Sequence, residues 1–127
     1  MPNNYLQHGL HNEKAALHLH QSNQFNDWTV TTAFYAALQF VKHKMFPMQI
    51  AGITYNSFDL YAQTITNRSK HGIVKDLLQR HHRAIAGRYN NLFRKCHTAR
   101  YVNYQITDTE AQQAIELLAE IKQYYIG

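Results

Sequence analysis

The chain has 127 residues, a formal net charge of +5 at pH 7 and a single cysteine. A chain of this length buries enough apolar surface to fold alone, so we predict one domain over residues 1–127. One cysteine excludes an internal disulfide and a cysteine-based zinc site. The first fourteen residues contain no apolar run typical of a signal peptide, and no later run is long enough to span a bilayer. We therefore expect a cytoplasmic protein without a membrane segment.

The charge is unevenly distributed along the chain. Residues 1–66 are balanced, residues 68–100 carry nine Lys and Arg against one Asp, and residues 107–127 carry one Lys against four acidic side chains. A basic segment followed by an acidic one suggests either a surface that binds polyanions or attraction between subunits. Ordinary solvated helix faces would have the same composition.

The N-terminal half predicts two helices and a long connection. The first helix ends between Ser22 and Asn26, and its apolar face is ambiguous because Glu13 lies among aligned leucines. The second begins at Asp27 as the N-cap and ends before Pro47, which cannot continue a helix. Residues 47–67 predict an irregular connection, with a short helical turn at 57–64.

The C-terminal half predicts three further helices. Apolar residues at helical spacing follow Gly72, and a longer set runs from Ile85 to Cys96. Thr107 and Glu110 have the spacing of a capping box that opens the last helix. Dipeptides that favour β-hairpins, such as Asn-Gly, are absent. The fold class is therefore all-α, an up-and-down bundle of about five helices.

Three segments resemble the HEPN-domain superfamily. They are DWTVTTAFYAALQFVKHKMF at 27–46, SKHGIVKDLL at 69–78 and YNNLFRKCHTARY at 89–101. Together with the last amphipathic helix, their order resembles that of the family from about residue 8 to residue 125. The resemblance implies a HEPN-like helical bundle that forms a homodimer. Family members include metal-independent endoribonucleases of toxin and defence systems, partners of small nucleotidyltransferases and binding modules.

The ribonuclease branch of that family carries Arg-x(4–6)-His, and this chain departs from the motif. Its nearest pairs, Arg68 with His71 and Arg94 with His97, have only two intervening residues. In the ribonucleases the histidine moves protons and the arginine stabilises charge on the phosphate. We therefore predict no catalytic residues, and name these two pairs as the candidates if the chain is active.

Candidate ligand-binding residues come from the basic segment. They are Arg80, Arg83, Arg88, Arg94, Lys95 and Arg100. On a helical wheel Arg94 points to solvent, whereas Arg100 falls inside the apolar stripe beside Cys96, which is an unusual position for a charge. Two explanations remain open: Arg100 caps the carbonyls of its own helix, or it pairs with Asp27, Asp76 or Glu110.

The aromatic residues and histidines give weaker signals. Trp28, Phe34, Tyr35 and Phe93 are predicted in the core, whereas tyrosines near helix ends either stack on bases or fill a subunit interface. The His-x-His and His-His pairs point to different helix faces and match no zinc pattern. We predict no metal site and no cofactor.

The leading functional hypothesis is a HEPN-like binding module for RNA or nucleotide-type ligands, non-catalytic or weakly active, that acts with a separately encoded partner. The alternatives are a metal-independent endoribonuclease and a partner subunit of a small nucleotidyltransferase.

Overall fold

The computed structural model describes residues 4–126. Six α-helices account for most of this range and form an all-α bundle, as predicted from the sequence. They are α1 (Tyr5–Ser22), α2 (Asn26–Met45), α3 (Phe58–Ala62), α4 (Lys70–His81), α5 (Arg83–His97) and α6 (Asp108–Ile126). A two-stranded hairpin, β1 (Met48–Ile50) and β2 (Ile53–Tyr55), follows α2, and a π-helical turn (Thr98–Val102) follows α5.

Local sequence signals set several helix ends. The Ser69 hydroxyl accepts the Gly72 N–H over 3.0 Å and caps α4, and the Thr107 hydroxyl accepts the Glu110 N–H over 3.1 Å and caps α6. The predicted cap at Asp27 is wrong, because α2 begins at Asn26 and Asp27 lies in its first turn. There the carboxylate faces the positive end of the helix dipole.

The hairpin within residues 47–67 was not predicted. Ala51 and Gly52 form its two-residue turn, and both have positive φ, at 52° and 82°. Two consecutive residues with positive φ match the twist of a tight hairpin, even without the usual Asn-Gly sequence. The strands have only three residues each, too few to give a recognisable alternation. The helical turn predicted at 57–64 is present as α3.

Helix α1 packs antiparallel to both α2 and α6. Gly9 lies against the ring of Phe40, so closely that an added Cβ would be 2.7 Å from a ring carbon. At α6, the Glu13 carboxylate lies 2.9 Å from the Lys122 ammonium, and His20 hydrogen-bonds to Gln112 over 2.8 Å. The small residues of α1 are therefore its buried face, while its leucines at 10 and 17 remain exposed.

Helices α5 and α6 are also antiparallel. The Arg88 guanidinium contacts the Glu120 carboxylate over 2.5 Å, and the Lys95 ammonium donates to the Gln113 side chain over 2.9 Å. Basic α5 thus lies beside acidic α6 within one chain. The separation of charge along the sequence has an intrachain explanation.

Helix α2 is the centre of the bundle and contacts α1, α5 and α6. Its buried side chains join one continuous core with those of the surrounding helices. The largest fully buried side chains are Tyr89, Phe34, Phe40, Phe58, Leu78, Ile85, Leu92, Leu118 and Ile121. No helix within residues 4–126 is long and apolar enough to cross a membrane.

Candidate functional site

The π-helical turn changes the direction in which side chains leave the end of α5. A hydrogen bond of 2.8 Å from the Asn103 N–H to the Thr98 carbonyl spans five residues instead of the usual four. An α-helical wheel therefore no longer applies after His97. The helical wheel, which assumed an unbroken α-helix, was therefore wrong to place Arg100 in the apolar stripe, and the side chain is exposed.

Arg100 is held by a tyrosine. Its guanidinium donates to the Tyr35 hydroxyl over 2.5 Å and lies 5.0 Å from the centre of the Tyr101 ring. Neither expected arrangement is found, because this hydrogen bond goes to a hydroxyl and no carboxylate within residues 4–126 forms an ion pair with Arg100. The charge is thus positioned but not neutralised.

Arg100 lies at the border between two adjoining cavities, which together we call the Arg100 groove. The first lobe, about 420 Å³, is lined by His8, Asn12, Trp28, Thr31, Thr32, Tyr35, Gln39 and Arg100. The second, about 300 Å³, is lined by Asp27, Trp28, Thr31, Ala99, Arg100, Tyr101 and Tyr104. Because Trp28, Thr31 and Arg100 line both lobes, one ligand spanning the groove would meet Arg100 near its middle.

Exposed aromatic rings form the walls of this groove. Trp28 is 53% exposed, Tyr101 66% and Tyr104 69%. The prediction that Trp28 lies in the core is wrong: it lines both lobes, together with residues of α1 and of the π-helical turn. Phe34 is buried as predicted, while Tyr35 and Phe93 are half-buried. Rings exposed beside an unpaired cation are the usual components of single-strand nucleic-acid sites.

A second cluster, here called the histidine face, extends from the groove across α4 and α5. The centre of the Phe93 ring lies 4.8 Å from the centre of the His71 ring and 6.5 Å from the centre of the His97 ring. His97 in turn lies 5.2 Å from Tyr101, which joins the histidine face to the groove. The Lys75 ammonium lies 4.2 Å from the centre of the Phe93 ring.

The histidine face is electrostatically positive. Burial lowers the pKa of His71, and the charges of Lys75, Lys42 and Arg100 lower it further. The neutral imidazole is therefore favoured at neutral pH. Bringing an anion to this face would oppose the effect of the three cations and favour the protonated form.

The structure brings together the histidines of the two predicted Arg/His pairs but not their arginines. Arg68 is bound at the start of α4, where its guanidinium lies 3.3 Å from the Asp76 carboxylate and donates to the Gly72 carbonyl. Arg94 is exposed and has no partner within residues 4–126. Arg100 is the arginine that lowers the pKa of His71, and its effect is smaller than those of burial, Lys75 and Lys42.

The other predicted ligand-binding cations lie along α4 and α5, away from the groove lining. Arg80 pairs with Asp76 over 3.5 Å, while the α5–α6 contacts described above engage Arg88 and Lys95. Arg83 is exposed and has no partner among the described residues. Of the six cations predicted from the sequence, only Arg100 lines the groove.

Two buried polar groups nearby have no evident role in binding. Burial raises the pKa of the Cys96 thiol, which keeps it protonated at neutral pH and unreactive. Burial also raises the pKa of Tyr89, whose hydroxyl has no hydrogen-bond partner in the part of the chain that the structure describes. Within residues 4–126, no three His, Cys, Asp or Glu side chains are gathered as metal ligands.

No family model, no curated protein and no solved structure matches this chain.

Proposed function

We propose that the chain is a HEPN-like binding module for single-stranded RNA or nucleotide-type ligands, non-catalytic or weakly active, with the Arg100 groove as its contact surface. The observation that carries the proposal is the set of three exposed rings around one unneutralised guanidinium. Trp28, Tyr101 and Tyr104 offer faces on which bases stack, and Arg100 offers a charged fork for a phosphate.

Energetic considerations support RNA over a polyanion that has no bases. A positive surface alone would bind any anion, and three of the nine cations in the basic segment are already paired with Asp76 or Glu120. Stacking adds about 1–3 kcal/mol per base and needs exposed rings, which the groove provides. The lobes, at about 420 and 300 Å³, are within or near the usual size of small-ligand sites.

The test is fluorescence anisotropy of a labelled oligouridine over a range of salt concentrations. Each neutralised phosphate contributes about −0.7 to the slope of log affinity against log salt for single strands. We expect Arg100→Ala to weaken binding and to make the slope shallower by about that amount. We expect Trp28→Ala to weaken binding mainly through lost stacking, with the slope unchanged.

Arg83→Ala is the matched control, because it also removes one exposed and unpaired arginine but lies at the α4–α5 junction. Equal effects of Arg83→Ala and Arg100→Ala would place binding along the basic helices instead of in the groove. Absence of binding at low salt, or binding that does not respond to salt, would reject the proposal. Either result would favour the alternative that the chain binds a protein partner, such as a nucleotidyltransferase subunit.

A second candidate function, metal-independent RNA cleavage, is favoured by one observation. The rings of His71 and His97 both lie near the Phe93 ring, and the charge of Arg100 is among those that lower the pKa of His71. Against it, Arg68 is engaged elsewhere and Arg94 faces solvent. We expect no turnover, or trace turnover, of a mixed-sequence RNA in EDTA. Strong cleavage that is abolished by His71→Ala or His97→Ala would establish the ribonuclease alternative.

Homodimerisation belongs to the same proposal, since the resemblance implies it. Val102 in the π-helical turn is 71% exposed and lines neither lobe of the groove, so it is an apolar side chain that a dimer could cover without occupying the groove. Light scattering at micromolar concentration, at low and high salt, is expected to give twice the chain mass. A monomer under both conditions would reject the dimer.

A further inference from the structure

The second lobe of the Arg100 groove contains an acidic group among its aromatic walls. Asp27 lines this lobe together with Trp28, Tyr101 and Tyr104. Its carboxylate has no hydrogen-bond or ion-pair partner within residues 4–126, although its backbone carbonyl accepts the Thr31 hydroxyl over 2.8 Å. A carboxylate without a partner is an acceptor available to a ligand.

The neighbouring residue holds the start of α2 against the segment that follows the π-helical turn. The Asn26 amide donates to the Ile106 carbonyl over 3.0 Å and to the Asp108 carboxylate over 2.8 Å. These bonds tie the segment after the π-helical turn to the first turn of α2. Asp27 and Tyr104 therefore line one lobe even though they are distant in sequence.

The charges restrict which part of a nucleotide enters the second lobe. A carboxylate repels phosphate and accepts hydrogen bonds only, so the group facing Asp27 must be a donor. Arg100, which borders both lobes, attracts the phosphate. The base would then stack in the second lobe between the exposed rings, with its phosphate at Arg100.

The bases differ in the donors that they present. Guanine has two adjacent donors on its Watson–Crick edge, the N1–H and the N2 amino group, which match the two oxygens of a carboxylate. Adenine and cytosine each place one amino donor beside an acceptor, and uracil places one N–H between two carbonyl oxygens. Only guanine satisfies both carboxylate oxygens without setting an acceptor against them.

We propose that the second lobe is a guanine subsite, in which Asp27 accepts the two Watson–Crick donors and Arg100 binds the adjoining phosphate. This inference rests on the proposed RNA-binding function and names its preferred base.

The experiment compares labelled heptanucleotides that are uridine except at the central position, which is guanine, adenine, cytosine or uracil. One guanine in a uridine context cannot form a quadruplex. We expect the guanine oligonucleotide to bind about tenfold more tightly than the other three, the effect of one bidentate contact. Inosine at the centre lacks the N2 amino group and should lose most of this preference, a result that does not depend on any protein variant.

The protein-side test is Asp27→Asn, which preserves shape and removes the negative charge. We expect the guanine preference to fall to within about twofold, with binding of the all-uridine oligonucleotide retained. Glu116→Gln, an exposed carboxylate on α6, is the control and should keep the full preference. Equal binding of all four oligonucleotides, or a guanine preference that survives both inosine and Asp27→Asn, would reject the guanine subsite alone. No binding of any oligonucleotide would reject the RNA-binding function itself.

Discussion

The guanidinium of Arg100 donates a hydrogen bond of 2.5 Å to the hydroxyl of Tyr35, 65 residues away in the sequence. Tyr35 lies on α2 and Arg100 on the π-helical turn, so the bond joins the two walls of the groove. An exposed arginine otherwise samples many rotamers, and fixing it in advance lowers the entropic cost of binding a phosphate.

The first prediction concerns this positioning. Tyr35→Phe removes the hydroxyl and keeps the ring, so Arg100 loses its anchor without loss of packing. We expect RNA affinity to fall about two- to tenfold, the effect of one hydrogen bond, with thermal stability nearly unchanged. Tyr101→Phe is the matched control. It also removes one tyrosine hydroxyl and keeps the ring, but Arg100 contacts the ring of Tyr101 and not its hydroxyl. If Tyr35→Phe binds RNA as the unmodified chain does, Tyr35 has no positioning role.

The helices could be predicted from the sequence because their signals are local. Thr107 three residues before Glu110 and Pro47 after an apolar stripe each act within one turn of helix. The groove could not be predicted this way. The Asn103-to-Thr98 hydrogen bond breaks the α-helical period, and its effect on the direction of Arg100 cannot be read from residue spacing.

Trp28 illustrates the other limit of sequence reasoning. A large aromatic residue within an apolar helix is usually buried. Nothing in the sequence separates the exposed Trp28 from the other aromatic residues predicted in the core, which are Phe34, Tyr35 and Phe93. Which ring is exposed depends on where α1 and the π-helical turn leave α2 uncovered. That depends on tertiary packing, as does the approach of both His71 and His97 to the Phe93 ring.

A second prediction concerns pH. His71 and His82 both have pKa values below the usual 6.5, in each case chiefly because of burial. The unfolded chain therefore binds protons before the folded one as pH falls, so the free energy of unfolding should decline below about pH 6.5. Denaturant midpoints at about pH 7.5 and pH 5.5 measure this decline across the histidine range. His71→Gln should reduce the difference between the two midpoints.

His11→Gln is the control for this experiment, because His11 is exposed on α1. It should leave the difference between the two midpoints as it is in the unmodified chain. The same difference in His71→Gln would show that His71 does not contribute to acid destabilisation.

A third prediction uses two glycines with opposite surroundings. A Cβ on Gly9 would lie 2.7 Å from the ring of Phe40, which is fully buried, whereas a Cβ on Gly87 would meet no atom of residues 4–126 within 4 Å. Alanine favours the helix by about 1 kcal/mol at either site. At Gly9 the overlap should exceed this gain and lower the free energy of unfolding by about 1–2 kcal/mol net.

Gly87→Ala should instead raise the free energy of unfolding by up to about 1 kcal/mol. Urea unfolding of the two variants side by side therefore gives shifts of opposite sign. Stabilisation by both substitutions would mean that α1 and α2 are not in close contact at Gly9.

The last prediction concerns the ion pair that connects α1 to α6. The Glu13 and Lys122 side chains are 18% and 35% exposed, whereas those of Asp76 and Arg80 are 43% and 64% exposed. Water and salt screen the second pair, so Arg80→Gln should cost no more than about 0.5 kcal/mol of unfolding free energy. Glu13→Gln leaves a half-buried ammonium without its counter-charge, and we expect a cost of about 2 kcal/mol, between the values for exposed and buried pairs.

A double-mutant cycle with Lys122→Met, measured by urea unfolding, isolates the coupling between the two charges. Adding Lys122→Met to Glu13→Gln should recover part of the loss, because the unpaired charge is then removed. Equal costs for Glu13→Gln and Arg80→Gln would mean that the first pair is as fully solvated as the second and does not hold α1 to α6.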